Sequence, residues 1–533
     1  MSELVHDFIF NSARHIPQAQ ALVYGKLRLD YAGLAHSVHQ AAMALGVRRR
    51  APGERIAIFL EKRIENVAAM FGASAAGCVF VPVNPLLKPE QVAHILADCN
   101  VRVLVTSQQR LAALAPVLAR CPDLRSVLAV GLQGEHALPP GVELADWDQA
   151  LAAARLRPPD PAPGRIDADV AAILYTSGST GKPKGVVLSH RNLVAGARSV
   201  AGYLELTAED RLLAVLPLSF DYGLSQLTCA FLTGACAVLI NHLFARDIVG
   251  MVESERITGL AAVPPLWAQL SRLPWPRDCS LRYVTNSGGA MPGTTLAALR
   301  AALPRAQVYL MYGLTEAFRS TYLPPAELDR RPDSIGRAIP NAEVMVVRPD
   351  GTPCAAGEPG ELVHRGALVS LGYWNDPAKT AERFRPVPAQ DPALPLTEMA
   401  VWSGDTVRRD EEGFLYFVGR SDDMIKVSGY RISPTEVEEM VYATGLAEEA
   451  VAFGVPHPEL GQAVVLLAVA TGTTAAALLK ECQRSMPSYM VPAHIALRAE
   501  PFPRNPNGKI DRKELRSAFV DLFSDSSDNG AAA

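Results

Sequence analysis

The segment that most constrains this chain is Y-T-S-G-S-T-G-K-P-K-G, at residues 175–185. An apolar run at 170–174 precedes it and reads as a buried strand. V-V-L at 186–188 follows, and then S-H-R-N-L at 189–193, which carries a helix-start signal. Three glycines in the loop let backbone N–H groups approach oxygens closely, and its hydroxyls and two lysines add donors and positive charge. Such a loop suits a nucleoside triphosphate. It is not the G-x-x-x-x-G-K-[ST] loop of kinases and motor ATPases. Counting back from Gly181 and Lys182, the first glycine would fall on Thr176, and Lys182 is followed by Pro183. Proline supplies neither a backbone donor nor a hydroxyl for Mg²⁺. A plain turn would have no packing use for two lysines and four hydroxyls.

With 533 residues, 49% hydrophobic and 20% charged, the chain has globular composition and room for more than one domain. Residues 1 to about 165 alternate helical and strand patterns, which predicts an α/β fold with a mostly parallel sheet. Expected strands lie at 55–60, 79–83 and 101–105, and expected helices at 65–76 and 91–99. Residues 333–371 carry short strands and turns, suiting a small β-barrel-like subdomain. A net charge of −4 gives no basic footprint for nucleic acid. Eight cysteines without a C-x-x-C spacing suggest reduced thiols in a cytoplasmic protein. The first ten residues contain Glu3 and Asp7 and do not read as a signal peptide. Residues 461–479 are uncharged, but T-G-T-T at 471–474 breaks them into a strand and a helix, so no membrane span is expected.

The loop at 175–185 resembles the phosphate loop of the adenylate-forming superfamily, which includes acyl-CoA synthetases, luciferases and peptide-synthetase adenylation domains. The resemblance covers roughly residues 10–515, with further motifs in the expected order. It implies that Thr176, Ser177, Gly178, Ser179, Thr180, Gly181, Lys182 and Lys184 cradle ATP phosphates. N-S-G-G-A at 286–290 is similar to the family's glycine-rich turn, implying that Gly288 walls the acyl pocket and Gly289 and Ala290 the nucleotide pocket. Y-G-L-T-E at 312–316 implies that Tyr312 and Gly313 hold adenine, that Thr315 contacts the α-phosphate and that Glu316 ligates Mg²⁺. W-S-G-D at 402–405 resembles the family's T-G-D, with Ser403 in place of Thr; Asp405 would accept both ribose hydroxyls, assisted by Arg420.

L-P-L-S-F-D-Y-G-L-S, at 216–225, departs from the histidine-bearing pattern of many acyl-CoA synthetases. Phe220 and Asp221 stand there, as in amino-acid-activating members where the aspartate pairs with a substrate amine. Capping of the following helix, expected at 222–232, is the alternative use for Asp221. The stretch 219–224 also resembles AMP-forming acyl ligases associated with exosortase A systems.

From residue 422 a smaller α+β lid is expected, to about 520, after an N-terminal domain at 1–421 and before a disordered tail at 521–533. In the family Asp422 is the hinge, Gly429 lines a thiol tunnel, and the lysine of N-G-K-I-D-R, here Lys509, is catalytic. The resemblance therefore implies a ligase that activates a small carboxylic or amino acid with ATP and Mg²⁺. The acyl-adenylate would then pass its acyl group to a phosphopantetheine thiol, on coenzyme A or on an acyl or peptidyl carrier protein. An adenylase that loads amino acids onto a carrier only, a phosphotransferase and a non-catalytic nucleotide-binding module are the alternatives.

Overall fold

The computed structural model describes residues 3–49, 51–134, 136–156, 164–176, 183–420, 423–427, 430–457, 460–486, 488, 490–505 and 509–523. Three sheets carry the chain. The first has seven strands, in the order Glu143–Asp146, Ser126–Val130, Val101–Ser107, Arg55–Phe59, Val79–Pro82, Val170–Thr176 and Lys184–Ser189. All its pairings are parallel except the last, where Lys184–Ser189 turns back along Val170–Thr176. The phosphate-loop segment therefore joins two antiparallel strands. Its residues Ser177, Gly178, Ser179, Thr180, Gly181 and Lys182 lie outside the described residues. Ser189 then caps the His190–Tyr203 helix, accepting the Asn192 N–H at 3.2 Å, while Asn192 reaches back to the Ser189 N–H. That reciprocal cap fixes where the helix starts.

Strand residues of the first sheet alternate between two cores, as a period of two requires. Ile56 and Ile58 enter a large core shared with the second sheet, whereas Ala57 and Phe59 enter a smaller core on the outer face. The helices Tyr31–Gly46 and Ile64–Ala75 fill the shared core, with Phe71 and Phe231 meeting edge to face at 5.4 Å. Burial of such side chains stabilises by about 1.5–3 kcal/mol each.

The second sheet has fourteen strands. Its centre is parallel, through Arg211–Ala214, Gly259–Ala262, Tyr283–Asn286 and Gln307–Leu314. Ala317–Leu323 and Ser334–Ala338 extend it antiparallel. The region expected as barrel-like forms the strands Ser334–Ala338, Ala342–Val347 and Gly360–Gly366, joined by Met399–Arg409 and Leu415–Arg420. They enclose a small core of Val346, Cys354, Leu362, Val407 and Leu415, and remain continuous with the large sheet.

The third sheet, built from residues 425–498, has its own core on each face. Ala450 and Ala452 face one core, and Val451 and Phe453 the other. The stretch 461–479 divides into the strand Gly461–Val469 and a helix, Ala475–Ser485, capped by Thr474. No helix among the described residues is long and apolar enough to cross a membrane. Residues 521–523, within the stretch expected as a tail, belong to the fold: Phe523 packs against the His457 ring at 5.0 Å. All eight cysteines are free thiols, and all but Cys279 are buried.

Candidate active site

The site forms where the parallel strands of the second sheet end, the usual place for a ligand crevice in open α/β sheets. Gln307–Leu314 delivers Tyr312 and Gly313, then Thr315 and Glu316. Gly313 must lack a side chain, since a β-carbon there would lie 2.9 Å from the Arg319 Cα on the adjoining strand. The Tyr312 phenol donates to Asp405 Oδ2. Asp405 is buried and forms an ion pair with Arg420 Nη1 at 3.1 Å, its direct cross-strand partner. The Asp405 N–H donates to Ser403 Oγ at 3.0 Å, and Ser403 Oγ donates to Leu362 O at 2.6 Å. Serine thus supplies the hydroxyl that threonine would have supplied. Burial, then the Asp405 carboxylate, holds the Tyr312 phenol well above its usual pKa. It is a neutral donor.

Glu316 accepts the Tyr373 O–H at 2.6 Å. The Lys184 ammonium stands over the Tyr373 ring, 5.3 Å from its centre. Burial lowers the Lys184 pKa, with Lys379 acting the same way and Asp376 opposing. Lys184, Tyr373 and Glu316 therefore form one string at the foot of the loop. Glu316 fits Mg²⁺ in the mode where one or two carboxylates hold the ion and substrate phosphates and water complete it. A cage built wholly from protein is absent among the described residues, which contain no group of three or more His, Cys, Asp and Glu placed to hold a metal.

Phe220, Asp221, Gly288 and Lys509, which the sequence places on the acyl side or at the catalytic position, lie near one another. Gly288 has φ +83°, and a β-carbon there would stand 3.4 Å from Val263 Cγ1, 3.5 Å from Lys509 Cε and 3.8 Å from Phe220 Cζ. Lys509 thus reaches from the C-terminal segment to the glycine turn. Its backbone N–H donates to Asn505 Oδ1 at 3.1 Å, and Asn505 N–H returns to Lys509 O at 2.8 Å. Lys509 keeps access to solvent, yet enough protein surrounds its ammonium that desolvation lowers its pKa. Asp221, Asp405 and Glu316 oppose that shift, and Arg420 adds to it.

Asp221 is not the helix N-cap, the alternative use that the sequence left open for it. Phe220 is the N-cap, and Asp221 is the first residue of the Asp221–Thr233 helix. Its Oδ1 accepts the adjacent Tyr222 N–H at 2.8 Å. Phe220 is extended, at φ −97° and ψ 134°, and the helix begins one residue early against Pro217. A β-carbon at Gly223 would fall 2.0 Å from Pro217 O, so glycine permits that close first turn. Burial raises the Asp221 pKa, while Arg319, the Tyr222 N–H and Lys509 pull it back.

Known proteins resemble the chain over this whole arrangement. Residues 9–374 match the AMP-binding enzyme family, and residues 436–509 match the AMP-binding enzyme C-terminal domain. This chain belongs to the AMP-binding enzyme family. It is 33% identical over 520 residues to L-proline--[L-prolyl-carrier protein] ligase of Streptomyces coelicolor, covering 93% of this chain and 91% of that ligase. It is 30% identical over 520 residues to feruloyl-CoA synthase of an Amycolatopsis species, covering 95% and 97%. Tyrocidine synthase 2 of Brevibacillus parabrevis is 30% identical over 525 residues, but the chain, 97% covered, spans only 14% of that protein. ATP-bound MatB from Rhodopseudomonas palustris shares the fold, with a TM-score of 0.85 at 24% identity, over 98% of this chain and 100% of that one.

Of the residues singled out in the sequence, this AMP-binding enzyme brings Phe220 and Lys509 to the same face of Gly288, each within 4 Å of where a β-carbon would stand. Asp221, Glu316, Asp405 and Arg420 act on the Lys509 charge. Thr315 is buried beside Glu316, and Thr176 is half-buried opposite Lys184 in the hairpin. Gly289 packs against Pro264, and Ala290 is exposed on the turn. Asp422 and Gly429 lie outside the described residues. Sequence reasoning missed Tyr373, because nothing local marks a phenol 57 residues from the carboxylate it serves. It also missed Lys62, which donates from Nζ to Val215 O at 2.6 Å and braces the segment leading to Phe220. Burial takes the Lys62 pKa down to about 7.

Proposed function

We propose that this chain is an AMP-forming acid–thiol ligase in which Lys509 closes the adenylation site. The placement of Lys509 beside the Phe220–Gly288 wall, within electrostatic reach of Asp221, Asp405 and Glu316, is the observation that carries the reading. In the first half-reaction a substrate carboxylate oxygen attacks the α-phosphorus of ATP. One P–O bond forms, the bond to pyrophosphate breaks, and acyl-AMP results. Tyr312 holds the adenine ring, and Asp405 with Arg420 orients the ribose. Thr315 and the 176–184 loop bind phosphate oxygens. Lys509 sits between two groups of like charge and offsets their repulsion as they approach. Mg²⁺ on Glu316 would neutralise charge on the phosphates. Positioning and preorganised charge account for most of the acceleration, since little covalent work falls to the protein.

In the second half-reaction the lid turns about Asp422, and a phosphopantetheine thiol enters beside Gly429. Its sulfur attacks the acyl carbonyl, AMP leaves, and the thiol proton is lost to solvent. The acceptor is coenzyme A or a carrier protein. The carrier-protein ligase and the CoA synthase that resemble the chain represent these two outcomes. Domains at 1–421 and 422–520 and a cytoplasmic location, in keeping with free, mostly buried thiols, complete the reading. Incubation with ATP and a panel of acids tests it. AMP plus pyrophosphate is the expected product pair, and ADP would contradict the reading.

A second reading concerns the acid. Asp221 is buried at the acyl wall, and desolvation disfavours its charge. A substrate ammonium would restore that charge, giving an amino acid as substrate. Exchange rates for an accepted amino acid and its deamino analogue would be compared in wild type and Asp221→Ala. Loss of the amine preference in the variant supports this role, and an unchanged preference removes it.

A further inference from the structure

Arg319 is the most unusual charge in the molecule outside the residues already assigned. It lies in the strand Ala317–Leu323, three residues beyond Glu316, and is 3% exposed. Its backbone is left-handed, at φ +62°. A non-glycine residue there costs about 1 kcal/mol or more and persists where the surroundings hold it. Phe318 beside it is fixed against the helix His190–Tyr203, where Gly196 leaves no room for a β-carbon. The left-handed turn at 319 carries the next side chain under the start of the Asp221–Thr233 helix. Its guanidinium carbon stands 4.0 Å from the centre of the Tyr222 ring, and Nη2 donates to Ser225 Oγ at 3.0 Å.

Two facts set this arginine apart. It has no carboxylate within ion-pair distance among the described residues, and its buried Nε has no hydrogen-bond partner. A buried guanidinium in that state is costly unless an acceptor arrives from elsewhere. Its location says where the acceptor comes from. Tyr222 follows Asp221, and its hydroxyl meets Thr285 Oγ1 at 2.5 Å. Thr285 lies in the strand that ends at Asn286, two residues before Gly288. Arg319 therefore sits behind the same wall whose rim is Phe220, Gly288 and Lys509. Asp221 precedes the Tyr222 whose ring Arg319 covers and accepts the Tyr222 N–H, so the two charges lie in one region of the site.

We propose that Arg319 reads a second carboxylate, remote from the one that is adenylated, so that the substrate is a dicarboxylic acid or an acidic amino acid. The planar fork of a guanidinium matches a carboxylate with paired donors, and Nε is the donor left for it. Lys509 takes the reacting carboxylate and Arg319 takes the distal one. In the amino-acid form, Asp221 takes the ammonium. The proposal rests on the adenylation reading for its chemistry, but it makes a statement about binding that can be measured without turnover.

The test uses the full chain in two assays. Thermal-shift binding, with a non-hydrolysable ATP analogue present, compares short α,ω-dicarboxylic acids with monocarboxylic acids of equal length. It also compares aspartic and glutamic acids with their amides. Pyrophosphate exchange is measured on the same panel. Wild type is expected to prefer at least one second-carboxylate ligand over its partner by roughly 10²-fold or more, as a site built for a polar group rejects the analogue lacking it. Arg319→Gln should abolish that preference, and Arg319→Lys should restore only part of it. Ser225→Ala, which removes the brace without removing the charge, should weaken it, and serves if Arg319→Gln fails to fold. A diacid preference without an amine requirement keeps Arg319 and removes the amine role of Asp221. Wild-type binding of diacids without exchange would spare the Arg319 assignment and sink the adenylation reading. Equal treatment of every pair by wild type, or an unchanged preference in both variants, would overturn the proposal and leave Arg319 a fixed counter-charge to Asp221.

Discussion

Gly288→Ala isolates the acyl wall from the nucleotide site. Two costs follow from the geometry. The backbone at φ +83° is the region where an L side chain is strained, and about 1–2 kcal/mol of stability should be lost. The added methyl would meet Val263, Lys509 and Phe220 at 3.4, 3.5 and 3.8 Å, which is ordinary contact, so no collision adds to that strain. Its effect on function comes from volume. The methyl fills the gap between Phe220 and Lys509 where the proposed function puts the reacting carboxylate. One methylene of misfit in a pocket is worth about 1–3 kcal/mol, or roughly 10- to 200-fold. KM for the acid in pyrophosphate exchange should therefore rise by at least about tenfold, with KM for ATP nearly unchanged. Gly289→Ala is the control. Its β-carbon would press on Pro264 at 3.2 Å and has no contact with Lys509, so it should cost stability without a selective rise in acid KM. An unchanged acid KM in Gly288→Ala, or an equal rise for acid and ATP, would refute the placement of the carboxylate.

Asp221→Asn should raise Tm at neutral pH. Its folded pKa is raised, so the carboxylate's stability contribution is present below its unfolded pKa near 4 and lost as pH rises, and the gap between variant and wild type should close towards pH 4. His190 is the opposite case. Burial, with His6 nearby, takes it down to about 3, and its Nδ1 accepts the Val5 N–H at 3.2 Å. Stability from this neutral imidazole is full above the unfolded pKa near 6.5 and is lost as pH falls towards 3, by about 1.4 kcal/mol for each step of one in pH, so Tm should fall across that window and His190→Gln should flatten the fall. His364, buried with neither ring nitrogen hydrogen-bonded among the described residues, stacks over Tyr312 at 6.1 Å. His364→Phe should raise Tm, since replacing an unsatisfied polar group by an apolar one removes its desolvation cost, and a lower Tm would contradict that account.

Most of the scaffold was legible because Gly, Pro and β-branched runs punctuate it. The strand expected at 55–60 is Arg55–Phe59, and the helix expected at 65–76 is Ile64–Ala75. The Y-G-L-T-E and N-G-K motifs are readable in the sequence because each is contiguous, and their described residues Tyr312, Glu316 and Lys509 lie near one another in the fold. Asp405 and Arg420 both stand out in their motifs, but their face-to-face pairing depends on the register of two strands. Tyr373 and Arg319 were silent for a related reason. Each gains its meaning from a partner distant in sequence, Glu316 for one and the Tyr222–Ser225 face of a helix for the other. Capping stayed open for Asp221 beside amine recognition because aspartate at a helix start is commonly a cap. Here the close approach of Gly223 to Pro217 starts the helix one residue sooner.

Lys509→Ala addresses the central claim most directly, using the acid that gives wild type its fastest pyrophosphate exchange. Acyl-AMP formation should fall by roughly 10²–10⁴-fold, the scale for losing one preorganised charge stabiliser. Transfer from supplied acyl-AMP to a phosphopantetheine thiol should largely survive, because the proposed role of Lys509 is confined to the first half-reaction. Exchange near the wild-type rate in Lys509→Ala would contradict the account.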